Sequence, residues 1–239
     1  TGIVRKADIL ILGNSRTQFA FPADRLRTFS QLSGHSIYNL SVGYNEAGRY
    51  FLELIRKFDL RPKTVIINID GFFHDQLSDY ATEVLGDGAW AAKRLSLERT
   101  LSYWIYPSLA QALPNFSVGR TNYLVYRDTN TGAWIPQHFP AERTPVLNAI
   151  VPVSPSHFES PFLETFLTEM KERQIRVLFT WIPGPHASYL RGFAKKCGVR
   201  AINPPSLALF TFDKVHLDPD SGRIFAAAFF SELQNDARF

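Results

Sequence analysis

The run Ile9-Leu10-Ile11-Leu12 is apolar without a break and stops at Gly13-Asn14-Ser15. A strand that is apolar on both faces belongs inside a parallel sheet with helices on either side. A glycine that ends it, with a serine two residues later, puts a hydroxyl at the carboxyl edge of that sheet, where open α/β sheets bind their ligands. Residues 36–42, 64–69, 176–182 and 199–202 read as further strands, the last one short.

Helical patterns separate these strands. Residues 18–29, with Pro22 near the start, read as a helix or a turn plus a helix. Asn45 is placed to cap a helix in which Ala47, Tyr50, Phe51, Leu54, Ile55 and Phe58 share one face, and Pro62 ends that unit. Ser160-Pro161 opens another, with Phe162, Leu163, Phe166, Leu167 and Met170 on one side, and residues 187–196 form one that Gly198 closes. The last helix begins at Asp218-Pro219-Asp220, since Pro and acids suit a first turn. Strands alternating with amphipathic helices predict an α/β fold: a flavodoxin-like three-layer sandwich around a roughly five-stranded parallel sheet. At 239 residues, 45% of them apolar, the chain is long enough to bury a full core as one domain, 1–239. Residues 74–157 break the rhythm. They carry a helix pattern around 95–113 and the aromatics Trp90, Tyr103, Trp104, Tyr106, Tyr123, Tyr126 and Trp134. This segment reads as an insertion or cap packed over the strand ends.

Charge and cysteine use narrow the function classes. The net charge is +4, but Lys and Arg are scattered, with no basic run, which argues against nucleic acid as a partner. A single cysteine, Cys197, excludes an internal disulfide and a cysteine-based zinc site. The histidines lack metal-ligand spacing, and no phosphate loop or Gly-x-Gly-x-x-Gly occurs, so neither a metal nor a cofactor is expected. No apolar run is long enough to span a bilayer, and the first residue is Thr, so a signal or membrane anchor upstream is a candidate.

A serine hydroxyl is a poor nucleophile until a base takes its proton, and a histidine oriented by a carboxylate does this. Asp213-Lys214-Val215-His216, just ahead of the last helix, carries both groups. A loop there returns to the carboxyl edge of the sheet, beside Ser15.

Gly13-Asn14-Ser15 after the first strand, with Asp213-x-x-His216 before the terminal helix, resembles the SGNH (GDSL-like) hydrolase superfamily. That resemblance implies Ser15 as nucleophile, His216 as general base, Asp213 as its orienter, and the N–H groups of Ser15 and Gly43 as an oxyanion hole. Two positions depart from the family pattern. Asn14 stands where the family has Asp, a position outside the triad. Strand three runs into Asp70-Gly71-Phe72-Phe73, with no Asn where the family's Gly-x-Asn-Asp block supplies a third oxyanion donor. A lost donor of that kind is worth about 2.7–4 kcal/mol of transition-state stabilisation. Asn45 and Asn68 are the stand-ins nearest in sequence. The altered third block is similar to the SGNH-like proteins of alginate and cellulose O-acetylation and of teichoic-acid D-alanylation. That likeness implies an acyl-ester or glycan substrate, a membrane-bound acyl donor protein as partner, and an extracytoplasmic location. A cytoplasmic location stays open. The expected function is an O-acetyl esterase or O-acyltransferase; the alternative is an inactive scaffold that binds a polysaccharide or membrane partner.

Each remaining candidate keeps two readings. Gly43 is an oxyanion donor or a plain turn glycine. Arg16 holds a substrate carboxylate or phosphate, or pairs with a neighbouring Asp. Asp70 contacts substrate or caps the next segment. Asn45 contacts substrate or only caps its helix, and His186 faces the pocket or is solvated.

Overall fold

The computed structural model describes residues 2–43, 48–86, 125–136, 143–146, 160–182, 187–204 and 207–235. In chain order the elements are α1 (Gly2–Arg5), β1 (Ile9–Leu12), α2 (Ser15–Ala20), α3 (Ala23–Ser33), β2 (Ile37–Asn39), α4 (Gly48–Lys57), β3 (Thr64–Asn68), α5 (Asp79–Leu85), β4 (Val125–Arg127), β5 (Trp134–Pro136), β6 (Thr144–Pro145), α6 (Pro161–Glu172), β7 (Arg176–Thr180), α7 (Ala187–Lys196), β8 (Arg200–Ala201), β9 (Phe210–Thr211) and α8 (Pro219–Gln234).

The central sheet has five strands in the order β2-β1-β3-β7-β8, every pair parallel. This is the flavodoxin-like wiring expected of the strand–helix alternation. Side chains alternate across it as a pleated strand requires. Leu10, Leu12, Val65, Ile67 and Phe179 enter one core with Phe51, Ile55 and Phe166 from α4 and α6. Ile9, Ile11, Ile66 and Leu178 enter the other with Leu26 and Phe29 of α3 and Phe225, Phe229 and Leu233 of α8. All four residues of β1 are buried, which is why the strand reads as continuous rather than alternating.

Residues 18–29, expected as a helix or a turn plus a helix, fall in two helices, α2 and α3. Phe21 closes α2, and Pro22, at φ −70° and ψ 154°, stands at the N-cap of α3. Proline cannot supply the N–H that a continuous helix needs there. The second strand is shorter than expected, but residues 40–42 still follow β1: Leu40 N donates to Ile11 O (2.9 Å) and Val42 N to Gly13 O (3.1 Å). The fifth strand is likewise trimmed to Arg200–Ala201. The helix expected around 95–113 lies outside the described residues, as do most of the aromatics of 74–157. From that segment the described parts are α5, the antiparallel β4–β5 hairpin and β6, which pairs with β9. Among the described residues no helix is long and apolar enough to cross a membrane.

Candidate functional site

Ser15 is the first residue of α2, immediately past the carboxyl end of β1. Asn14 caps that helix, its Oδ1 accepting from Arg16 N at 3.1 Å. Its Nδ2 donates to the Asp70 carbonyl and to Asp70 Oδ2, each at 3.1 Å, so the cap is tied to the end of β3. Gly13 allows this turn for reasons of space. A Cβ there would lie 2.2 Å from Thr17 Oγ1 and 3.0 Å from Asn68 Cβ.

The loop before α8 brings the second half. Phe212 N donates to His216 O (3.1 Å) and Asp218 N to Phe210 O (3.0 Å), closing residues 212–216 into a tight turn. Within it Asp213 Oδ1 accepts from Val215 N (3.0 Å) and His216 N (2.7 Å), while Lys214 sits at φ 66°. Asp213 Oδ2 is 2.6 Å from His216 Nδ1, and His216 Nε2 is 2.7 Å from Ser15 Oγ. Hydroxyl, imidazole and carboxylate thus form one hydrogen-bonded line across 201 residues of sequence.

Burial alone works to raise the Asp213 pKa, but the His216 ring and the His216 and Val215 amides outweigh it and hold the carboxyl below its ordinary value of 3.8. The carboxylate is therefore ionised at neutral pH and can only accept. A neutral His216 then carries its proton on Nδ1 and turns the Nε2 lone pair toward Ser15. The ring packs against both Phe19 and Phe212, at centroid distances of 4.9 and 5.8 Å.

The two backbone N–H groups of the expected oxyanion hole are those of Ser15 and Gly43. The Ser15 N–H is the first of α2, where no intrahelical acceptor exists. Gly43 follows Val42, whose N–H is bonded to Gly13, so the two chains run side by side. Neither the Ser15 nor the Gly43 N–H has a hydrogen-bond partner among the described residues.

Arg16 and Asp70 pair directly, Arg16 Nη1 to Asp70 Oδ2 at 2.9 Å, both largely buried. The Arg16–Asp70 ion pair and the tie from Asp70 to Asn14 match one of the two readings of each residue. Asn68 is fully buried and committed: its Oδ1 accepts from Ile182 N (3.2 Å), and its Nδ2 lies 3.4 Å from Asn14 Oδ1. It positions Asn14 rather than serving as a third oxyanion donor. Asn45 and His186 lie outside the described residues. Among the described residues no cluster of His, Cys, Asp and Glu fits a metal ion.

The β4–β5 hairpin was not itself read from the sequence, though it lies in the 74–157 segment expected over the strand ends. Asn39 N donates to Thr131 O (2.7 Å), and Arg127 donates to Ser41 O (2.5 Å) and Asn39 O (3.3 Å). Gln18 Nε2 donates to the same Ser41 carbonyl. Gly132 makes the docking possible, since a Cβ there would lie 2.2 Å from Asn39 O. Gly132 follows Asp128-Thr129-Asn130-Thr131, a turn signature legible in the sequence, but its partner strand was not. The hairpin sets Trp134 edge-on to Phe19 at 5.5 Å and directly against Gly43.

No family model matches the sequence, and no curated protein matches it. Solved structures similar to this chain include a GDSL-like lipase from Bacteroides thetaiotaomicron, 12% identical over 96% of this chain and 88% of the other, with a TM-score of 0.41. A candidate acylhydrolase from Bacteroides fragilis is also 12% identical, over 95% of this chain and 86% of the other, with a TM-score of 0.41. At such identity the likeness says nothing of activity, which has to come from the chain's own residues.

Proposed function

We propose that this chain is a serine acyl-ester enzyme. The observation that carries this reading is the unbroken line from Ser15 Oγ through His216 to Asp213, at 2.7 and 2.6 Å. His216 Nε2 takes the Ser15 proton as Oγ bonds to the acyl carbon. The carbonyl oxygen, now anionic, accepts from the Ser15 and Gly43 N–H groups, whose lack of other partners suits them to that task. Asp213 stabilises the imidazolium. His216 then protonates the departing alcohol, the carbon–oxygen bond breaks, and Ser15 is left acylated. Water or a sugar hydroxyl, deprotonated by His216, completes hydrolysis or transfer. An O-acetylated cell-surface glycan as substrate, a membrane-bound acyl donor and an extracytoplasmic location are proposals that rest on the sequence resemblance alone.

The test is fluorophosphonate labelling with the adduct located by mass spectrometry, together with acetyl-ester turnover. Labelling at Ser15, lost in Ser15→Ala and His216→Ala, supports the enzyme. An intact protein that neither labels nor turns over overturns it. One observation favours the alternative of an inactive scaffold for a polysaccharide or membrane partner: Asn68 is tied to Asn14, so no third oxyanion donor is found among the described residues. Tight glycan binding by a protein inert in both assays is what that reading requires.

A further inference from the structure

Trp134 meets the site at one particular corner. A Cβ at Gly43 would lie 3.1 Å from Cη2 and 3.4 Å from Cζ2 of its indole, so the ring tip covers the residue that offers the second oxyanion N–H. Among the described residues no ring contact joins it to His216; Phe19 touches both, at 5.5 Å from Trp134 and 4.9 Å from the imidazole. The ring is held there rather than loosely placed, because Arg127, Thr131 and Gly132 pin the hairpin to the tail of β2. It is half-buried, leaving part of the indole to face a ligand.

The geometry of acyl transfer says what that ligand part is. Around the tetrahedral carbon, the anionic oxygen points to the N–H pair and the leaving oxygen must reach His216 Nε2 to be protonated. The remaining substituent is the acyl chain. A ring that touches the oxyanion residue but makes no ring contact with the imidazole borders the acyl chain, not the leaving alcohol. We infer that Trp134 walls the acyl pocket and restricts this site to short acyl groups such as acetyl. This rests on the serine-ester reading above.

Two substrate series separate the possibilities: p-nitrophenyl esters of increasing acyl length, and acetyl esters of differing alcohols. Each filled or emptied methylene position is worth roughly 10–200-fold in kcat/KM, so Trp134→Ala should raise the hexanoate-to-acetate ratio at least about tenfold. Trp134→Phe, which keeps an aromatic against Phe19, should give a smaller rise, and covers the case in which the alanine variant fails to fold. The alcohol series should keep its order. Unchanged acyl profiles in folded variants that still label at Ser15, or a change only in the alcohol series, overturn the role of Trp134 and leave the serine-ester reading standing. A wild-type protein that does not label with fluorophosphonate overturns both.

Discussion

Gly222 of α8 packs so closely on the Phe19 carbonyl of α2 that a Cβ there would lie 2.3 Å from the oxygen. This contact seats the helix behind His216 on the helix that begins with Ser15, and so it sets the distance between imidazole and hydroxyl. The glycine is an anomaly inside a helix, where it costs about 1 kcal/mol relative to Ala. Its reason is the neighbour.

Gly222→Ala is expected to destabilise the protein by about 1–3 kcal/mol despite the better helix propensity of Ala, because a backbone carbonyl cannot swing aside. The fluorophosphonate labelling rate should fall with it. Thermal unfolding and labelling kinetics check both, and a more stable variant with normal labelling contradicts the account.

Asp213→Asn separates loop from catalysis. The amide oxygen can still accept from the Val215 and His216 amides, so the turn survives. The amide nitrogen in place of Oδ2 cannot accept from Nδ1–H, and the ring is pushed to the wrong tautomer. Labelling should slow by about 10³–10⁴-fold, the scale of such a change in a serine triad, with the melting temperature little altered. Equal losses in melting temperature and rate point instead to a purely structural aspartate.

Lys214, at φ 66°, holds the turn between Asp213 and His216 in the left-handed region. That conformation costs an L residue about 1–2 kcal/mol. Lys214→Gly should fold and label like the parent, since relief of strain offsets a more flexible unfolded chain. Lys214→Val should lose stability and labelling together, because a β-branched side chain tolerates positive φ poorly. Identical behaviour of the two variants argues against strain at this position.

Asp8 joins the amino ends of three strands. Its carboxylate accepts from Ser36 N (2.9 Å) and pairs with Lys63 Nζ (2.9 Å). Burial works to raise its pKa, but Lys63 and Ser36 together lower it from 3.8 to about 2. A carboxyl lowered on folding contributes stability that is whole above the unfolded value and lost as pH falls through the folded one. Asp8→Asn should therefore cost about 1 kcal/mol at neutral pH, after discounting for the exposure of the Lys63 partner. The gap to wild type should narrow below pH 4 and close only below pH 2, as urea unfolding at several pH values will register. A constant gap over that range indicates lost packing in place of lost charge.

Much of this molecule is readable from local pattern. β1, β3 and β7 carry unbroken apolar runs at 9–12, 65–67 and 177–179 because both faces are buried, and the helices between them carry one apolar face each; that periodicity is a property of neighbours in sequence. Gly13-Asn14-Ser15 and Asp213-x-x-His216 stand out for the same reason, as short spacings of reactive groups beside strand ends. The amino-acid order by itself thus determined the sheet, its covering layers and the residues worth pairing. What it left open were matters of distance between remote segments. Asn68 was a candidate oxyanion donor until its amide was seen bound to Asn14 and Ile182. Gly132 and Gly222 look like ordinary glycines until Asn39 O and Phe19 O are found where a Cβ would go. Tertiary structure alone decided these, because close packing and hydrogen bonding depend on which surfaces meet, and no local periodicity records that.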